Sequence, residues 1–139
     1  MTAIDPDYRL VYEGELRTRM THMRSQNQVI TDAPIDNQGK GAAFSPTDLV
    51  SSALASCVMT IMGIKAREMG HETVEMEADV WKEMSANPRR IGKIRIDLKI
   101  HIPEITPQQI RILDRTTTAC PVARSLHPDT QKEIAFHWR

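Results

Sequence analysis

Residues 44–71 read Phe44-Ser45-Pro46-Thr47-Asp48-Leu49-Val50-Ser51-Ser52-Ala53-Leu54-Ala55-Ser56-Cys57-Val58-Met59-Thr60-Ile61-Met62-Gly63-Ile64-Lys65-Ala66-Arg67-Glu68-Met69-Gly70-His71. Ser45 has the side chain of a helix N-cap, Pro46 suits the first helical position, and Asp48 completes a Ser-x-x-Asp box. From Pro46 to Met69 the residues are apolar or small on nearly every side, and Gly70-His71 ends the run. A helix apolar all round is buried all round. At 1.5 Å per residue it is about 35 Å long, more than one small domain can wrap. A second subunit is therefore expected over part of it.

The elements outside this helix alternate with period two. Val74, Met76, Ala78 and Val80 oppose Glu75, Glu77 and Asp79; Ile94, Ile96, Leu98, Ile100 and Ile102 oppose Lys93, Arg95, Asp97, Lys99 and His101. Ser85 to Arg90 supplies a turn, so this segment predicts an antiparallel hairpin with one wet face. Residues 8–31 carry looser strand character, with turns at Glu13-Gly14 and Ser25-Gln26-Asn27. Residues 32–44 are loop by composition. Thr106-Pro107-Gln108-Gln109 starts a second helix, and Ile110, Leu113 and Thr117 form a stripe leading to Cys120. Pro121 stops that helix and lets Cys120 cap a short one from Pro121 to Leu126. Ile134–Trp138 is a final strand. The order ββ-α-ββ-α-β predicts an α+β fold of antiparallel sheets with two main helices.

Length and charge narrow the function. The 139 residues fit one domain, 1–139, with a core of its own. Lys plus Arg and Asp plus Glu number 18 each. A balanced charge points to no nucleic acid and no anionic membrane surface. The N-terminal Met1-Thr2-Ala3-Ile4-Asp5-Pro6-Asp7 lacks the pattern of a secretory signal, and Leu49–Ile64 is interrupted by Ser51, Ser52, Ser56 and Thr60, short of a membrane span. A cytoplasmic protein is expected. There its two cysteines are free thiols or a pair that opens and closes.

Cys120 is placed where the amides of residues 122 and 123 and the helix dipole favour a thiolate, with Arg124 one turn on. On sequence alone it is the readier thiolate, although a cysteine in such a position often only packs. Cys57, mid-helix among apolar neighbours, has no local cation and needs one from elsewhere; Arg17 and Arg19, on one face of an early strand, are the candidates. The histidines His22, His71, His101, His127 and His137 show no ligand spacing, so no metal is expected, and there is no phosphate loop or nucleophile elbow.

Phe44-Ser45-Pro46-Thr47-Asp48-Leu49 followed by Ala53-Leu54-Ala55-Ser56-Cys57, together with Ala119-Cys120-Pro121-Val122, resembles the osmotically inducible protein C and organic hydroperoxide resistance (OsmC/Ohr) family across nearly the whole chain. The resemblance implies an intertwined homodimer with the long helices at the interface. It implies that Cys57 attacks an organic hydroperoxide, that Cys120 resolves it as a disulfide, that a dithiol reductant recycles the pair, and that no cofactor takes part. It carries the activating arginine to Arg17, with Arg19 as rival. The peroxidase branches place a glutamate directly after the helix-start proline; here that position is Thr47, and the carboxylate comes one residue later, at Asp48. One residue is about a 100° turn of the helix, so Asp48 is expected mainly to cap. This departure keeps a second reading open, a sensing or binding module that holds a small apolar or electrophilic ligand at the dimer interface without turnover. A third reading makes the cysteines a buried structural pair.

Overall fold

A computed structural model describes residues 4–139. Met1, Thr2 and Ala3, on which part of the expected lack of a secretory signal rests, lie outside the described residues. The chain divides into two compact units, one ending at Leu49 and the other Val50–Arg139.

The first unit is an antiparallel meander of β1 (Tyr8–Gly14), β2 (Arg17–His22) and β3 (Gln28–Asp32), in that spatial order. The ββ expected here is therefore three strands, because Ser25-Gln26-Asn27 turns the chain and frees Gln28–Asp32 to pair. The β1–β2 connection is two residues long, Glu15 (φ 52°) and Leu16 (φ 66°), both left-handed as such a tight hairpin demands. The segment from Ala33 to Phe44 is mostly irregular, with a short 3₁₀ turn at Ile35–Asn37. It doubles back tightly: a Cβ on Gly39 would collide with the Ala33 carbonyl, so only glycine fits there.

Helix α1 spans Pro46–Glu68. Its start is a closed box: Ser45 N–H donates to Asp48 Oδ2 at 2.8 Å, and Asp48 N–H donates to Ser45 Oγ at 3.1 Å. It ends in a Schellman motif, with Gly70 at φ 91°, Gly70 N–H on the Arg67 carbonyl and His71 N–H on the Ala66 carbonyl.

Burial on α1 departs from the expectation. Leu54, Val58, Met62 and Ala66, four apart, are buried with Ser51 and Ala55. The opposite stripe is not covered: Val50 is 38% and Ile64 53% exposed, and Cys57 and Ile61 are half-buried. A single chain buries one face of this helix, not all of them. The helix also contains an 18-residue window of mean hydropathy 1.6, so by length and composition alone it is long and apolar enough to cross a membrane, contrary to the count of interrupting hydroxyls. Its inward stripe is nonetheless core, shared with the sheet described next.

The second unit holds β4 (Glu75–Ser85), β5 (Arg90–His101) and β6 (Gln131–Trp138), with β5 central. β4 and β5 run antiparallel over their whole length. β6 pairs parallel to β5, so the sheet is mixed rather than wholly antiparallel. The reason is the crossover between them: α2 (Pro107–Thr116), a 3₁₀ turn (Thr117–Ala119) and α3 (Pro121–Ser125) carry the chain back to the end from which β5 started. Ile94, Ile96, Leu98 and Ile100 are fully buried against α1 residues in the core, while Lys93 pairs with Glu133 at 3.1 Å and Arg95 stacks on Trp81 on the wet face. Both bonds of the Thr106/Gln109 capping box form, and Leu113 of α2 completes the core. Two main helices and two three-stranded sheets give the α+β class.

Candidate active site

Pro121 fixes where α3 begins and leaves Cys120 extended (φ −62°, ψ 118°), so Cys120 caps the helix with its sulfur. Ala123 N–H donates to Cys120 Sγ at 3.4 Å. Leu113, Thr117 and Cys120 are all buried, in the order in which the α2 stripe and the 3₁₀ turn lead inward.

Cys57 lies at mid-α1 on the border between the covered and uncovered stripes. Its thiol is near enough to the Cys120 thiol to raise that group's pKa, and both are free. The structure thus brings together two cysteines separated by 63 residues of sequence.

The charge state of Cys120 corrects the local sequence reading. Burial pushes its pKa up, the hydrogen bond with Cys57 adds to the rise, and the amides of Ala123 and Val122 recover only part. Desolvation outweighs the helix terminus because Cys120 is wholly buried and α3 is only five residues long. Cys120 is therefore held as a protonated thiol at neutral pH.

The two candidate arginines lie on β2 in the first unit and differ sharply. Arg17 donates from Nε to Asp32 Oδ1 at 2.7 Å and from Nη2 to Asp32 Oδ2 at 2.8 Å. Asp32 is 2% exposed, takes a third bond from Ala42 N–H at 3.0 Å, and has its carboxyl held below the usual range chiefly by the Arg17 hydrogen bonds. Arg19 makes looser contacts, 3.2 Å to Glu13 and 3.3 Å to Gln28, and is more exposed. Asp32 is the polar partner that sequence reading missed. Its signal was the strand register that sets Arg17 opposite Asp32, hidden because Asp32-Ala33-Pro34 has loop composition.

Asp48 is engaged at the helix start as expected, and Thr47 Oγ1 lies 3.2 Å from Ser45 Oγ. An open groove of about 480 Å³ runs between α1 and β4, lined by Ser52, Ser56 and Met59 on one side and Ala78 and Val80 on the other. Among the described residues no group of three or more His, Cys, Asp or Glu side chains converges as a metal site would require.

Residues 39–134 match the family described as OsmC-like protein. A crystal structure from Psychrobacter arcticus, of a protein named for an osmotic stress induced and detoxification response, is 44% identical, with 98% of each chain covered and a TM-score of 0.88. An OsmC-like protein from Mycoplasma pneumoniae shares the fold at 18% identity, with 99% of each chain covered and a TM-score of 0.77. The organic hydroperoxide resistance protein OhrB of Bacillus subtilis shares it at 15% identity, with 93% of this chain and 96% of that one covered and a TM-score of 0.60. Comparison with curated proteins finds no match.

Proposed function

Since the chain belongs to the OsmC-like family, we propose that it is a thiol-dependent peroxidase acting on organic hydroperoxides. The observation that carries this reading is the contact between the Cys57 and Cys120 thiols on separate elements of one unit. The Cys57 thiolate attacks the distal oxygen of the hydroperoxide. The O–O bond breaks, the alkoxide takes a proton and leaves as alcohol, and Cys57 becomes a sulfenic acid. The Cys120 sulfur then displaces that oxygen, giving a Cys57–Cys120 disulfide and water. Exchange with a dithiol reductant restores both thiols.

Cys57 is the attacking thiol because it is half-buried while Cys120 is sealed, and an attacking group must meet its substrate. Arg17 stabilises the Cys57 thiolate in this reading. Its side chain is 35% exposed, and its guanidinium is pinned rather than mobile. Residues 1–139 act as one domain and the working form is a cytoplasmic homodimer. The family match across the division between the two units and the uncovered stripe of α1 support that.

The test is consumption of an alkyl hydroperoxide by purified protein with a dithiol present, run beside hydrogen peroxide. Turnover that favours the alkyl substrate is expected. Thr47 at the position where peroxidase branches carry glutamate favours a second reading, a module that holds a small apolar or electrophilic ligand without turnover. In that case Cys57 reacts once with the electrophile and no dithiol is consumed.

A further inference from the structure

Cys120 holds two positions at once. It belongs to the core cluster against which Cys57 of α1 packs, and the two thiols are near enough to act on each other. It is also the cap of α3: Ala123 N–H donates to its sulfur at 3.4 Å, and Arg124 N–H donates to its carbonyl at 3.1 Å. Pro121 has no amide hydrogen, so the sulfur is the side-chain acceptor that satisfies the first turn.

A disulfide makes those two positions compete. Both cysteines are free, and joining them requires the sulfurs to close from contact to bonding distance. The element that yields is set by how firmly each is held. α1 has 23 residues and is anchored by the buried side chains of Leu54, Val58 and Met62. α3 has five residues, none of them buried, and a helix so short depends on its cap and its packing. The Cys120 sulfur therefore moves towards Cys57 and away from the Ala123 amide. Sulfur is a weak acceptor to begin with, and in a disulfide it has no charge to offer. The flanks do not follow. Thr117 Oγ1 donates to the Asp114 carbonyl at 2.8 Å, Thr130 Oγ1 donates to the Ile91 carbonyl at 2.9 Å, and both threonines are buried. The stretch between them is the part that opens, and it carries Val122 and Leu126, which are partly buried against the core.

We infer that α3 is a redox-sensitive latch, closed while Cys120 is a thiol and loosened at its first turn once Cys120 is bonded to Cys57. This rests on the peroxidase reading for the natural oxidant. The two thiols give up two electrons and two protons, and an organic hydroperoxide takes them to become alcohol and water. It adds that the oxidised state is displayed at the surface, where Val122, Leu126 and the peptide bond after Arg124 become accessible.

The experiment measures amide hydrogen exchange by NMR on the full chain, reduced and after oxidation with diamide. Diamide takes up the two hydrogens itself, so the disulfide forms without peroxide; loss of both free thiols with unchanged chain length confirms it. The Ala123 and Arg124 amides are expected to exchange about fivefold to tenfold faster in the oxidised chain, the scale of a lost cap. The Val58 amide in α1 should hold. Trypsin should cut after Arg124 faster in the oxidised chain, read by mass spectrometry. Cys57→Ser keeps the cap and cannot form the pair, so diamide should change neither readout there. Unmoved Ala123 protection in the oxidised chain overturns the inference, as does loosening in Cys57→Ser or opening of α1 around Cys57 instead. Failure of diamide to join the two cysteines overturns it too. Alkyl hydroperoxide turnover is scored separately. Turnover with an unmoved Ala123 amide removes the latch and leaves the peroxidase reading; a latch opened by diamide in a chain without turnover does the reverse.

Discussion

The Cys120 thiol is fully buried, and the half-buried thiol of Cys57 is near enough to raise its pKa. In the proposed peroxidase cycle this arrangement gives the two sulfurs different work. A sealed, protonated thiol cannot meet a substrate first, but it stands ready to displace the oxygen of a sulfenic acid formed next to it.

Treatment of single variants with an alkyl hydroperoxide should separate the roles. Cys120→Ser is expected to accumulate a sulfenic acid at Cys57, trapped by a dimedone-type reagent, and to lose turnover. Cys57→Ser should react slowly or not at all. Sulfenic acid at Cys120 in the Cys57→Ser chain would exchange the assignments and show that the Ala123 and Val122 amides outweigh burial.

Asp48 should prove a capping residue. Its carboxylate accepts the Ser45 amide and its own amide returns to the Ser45 hydroxyl. Asp48→Asn is expected to cost about 0.5–2 kcal/mol, the range of a lost capping interaction, and to leave alkylation of Cys57 within a few-fold. Unfolding by urea measures the first and iodoacetamide kinetics the second. Collapsed reactivity at unchanged stability would give Asp48 a catalytic part instead.

Acid should erase the advantage of Asp32. Its folded pKa is lowered, first by the Arg17 hydrogen bonds, so its contribution is complete above the unfolded carboxylate pKa of about 3.9 and is lost as pH falls through the folded value. The stability gap between the natural chain and Asp32→Asn is therefore expected to be constant from pH 7 to about 5 and to close below about pH 4. Urea midpoints at each pH read it directly. A gap that stays constant into strong acid would mean that the ion pair contributes nothing measurable.

The elements legible in the sequence are those fixed by local rules. Ser45-Pro46 and Thr106-Pro107 start helices because capping chemistry is local, and Cys120-Pro121 starts α3 because proline forbids continuation. The alternation from Ile94 to Ile102 exposed the central strand because one face of a sheet is dry. What depended on pairing was hidden. Nothing in Gln131–Trp138 says that it lies parallel to β5, since that follows from the crossover. Asp32 looked like loop because its meaning comes from the residue opposite, Arg17. The thiol of Cys120 was misjudged because helix-end electrostatics can be read locally and desolvation cannot.

The uncovered stripe of α1 sets the last expectation. Val50, Ala53, Cys57, Ile61 and Ile64 follow one another at helical spacing, and Val50 and Ile64 expose 38% and 53% of their surface. One chain has already spent the Leu54–Val58–Met62–Ala66 stripe on its own sheet. Two apolar stripes on one helix need two partners, and a second copy is expected to supply the other through a self-complementary, two-fold contact. In such an interface each substitution counts twice. Burying an isoleucine stabilises by about 1.5–3 kcal/mol, so a buried charge at both copies should weaken association severely. Light scattering at micromolar concentration is expected to give twice the 15.8 kDa chain mass. Ile64→Glu, whose side chain is exposed within one chain, should give that mass singly while keeping the secondary structure seen by circular dichroism. A chain of single mass before substitution, or an Ile64→Glu variant that stays dimeric, would remove α1 from the interface.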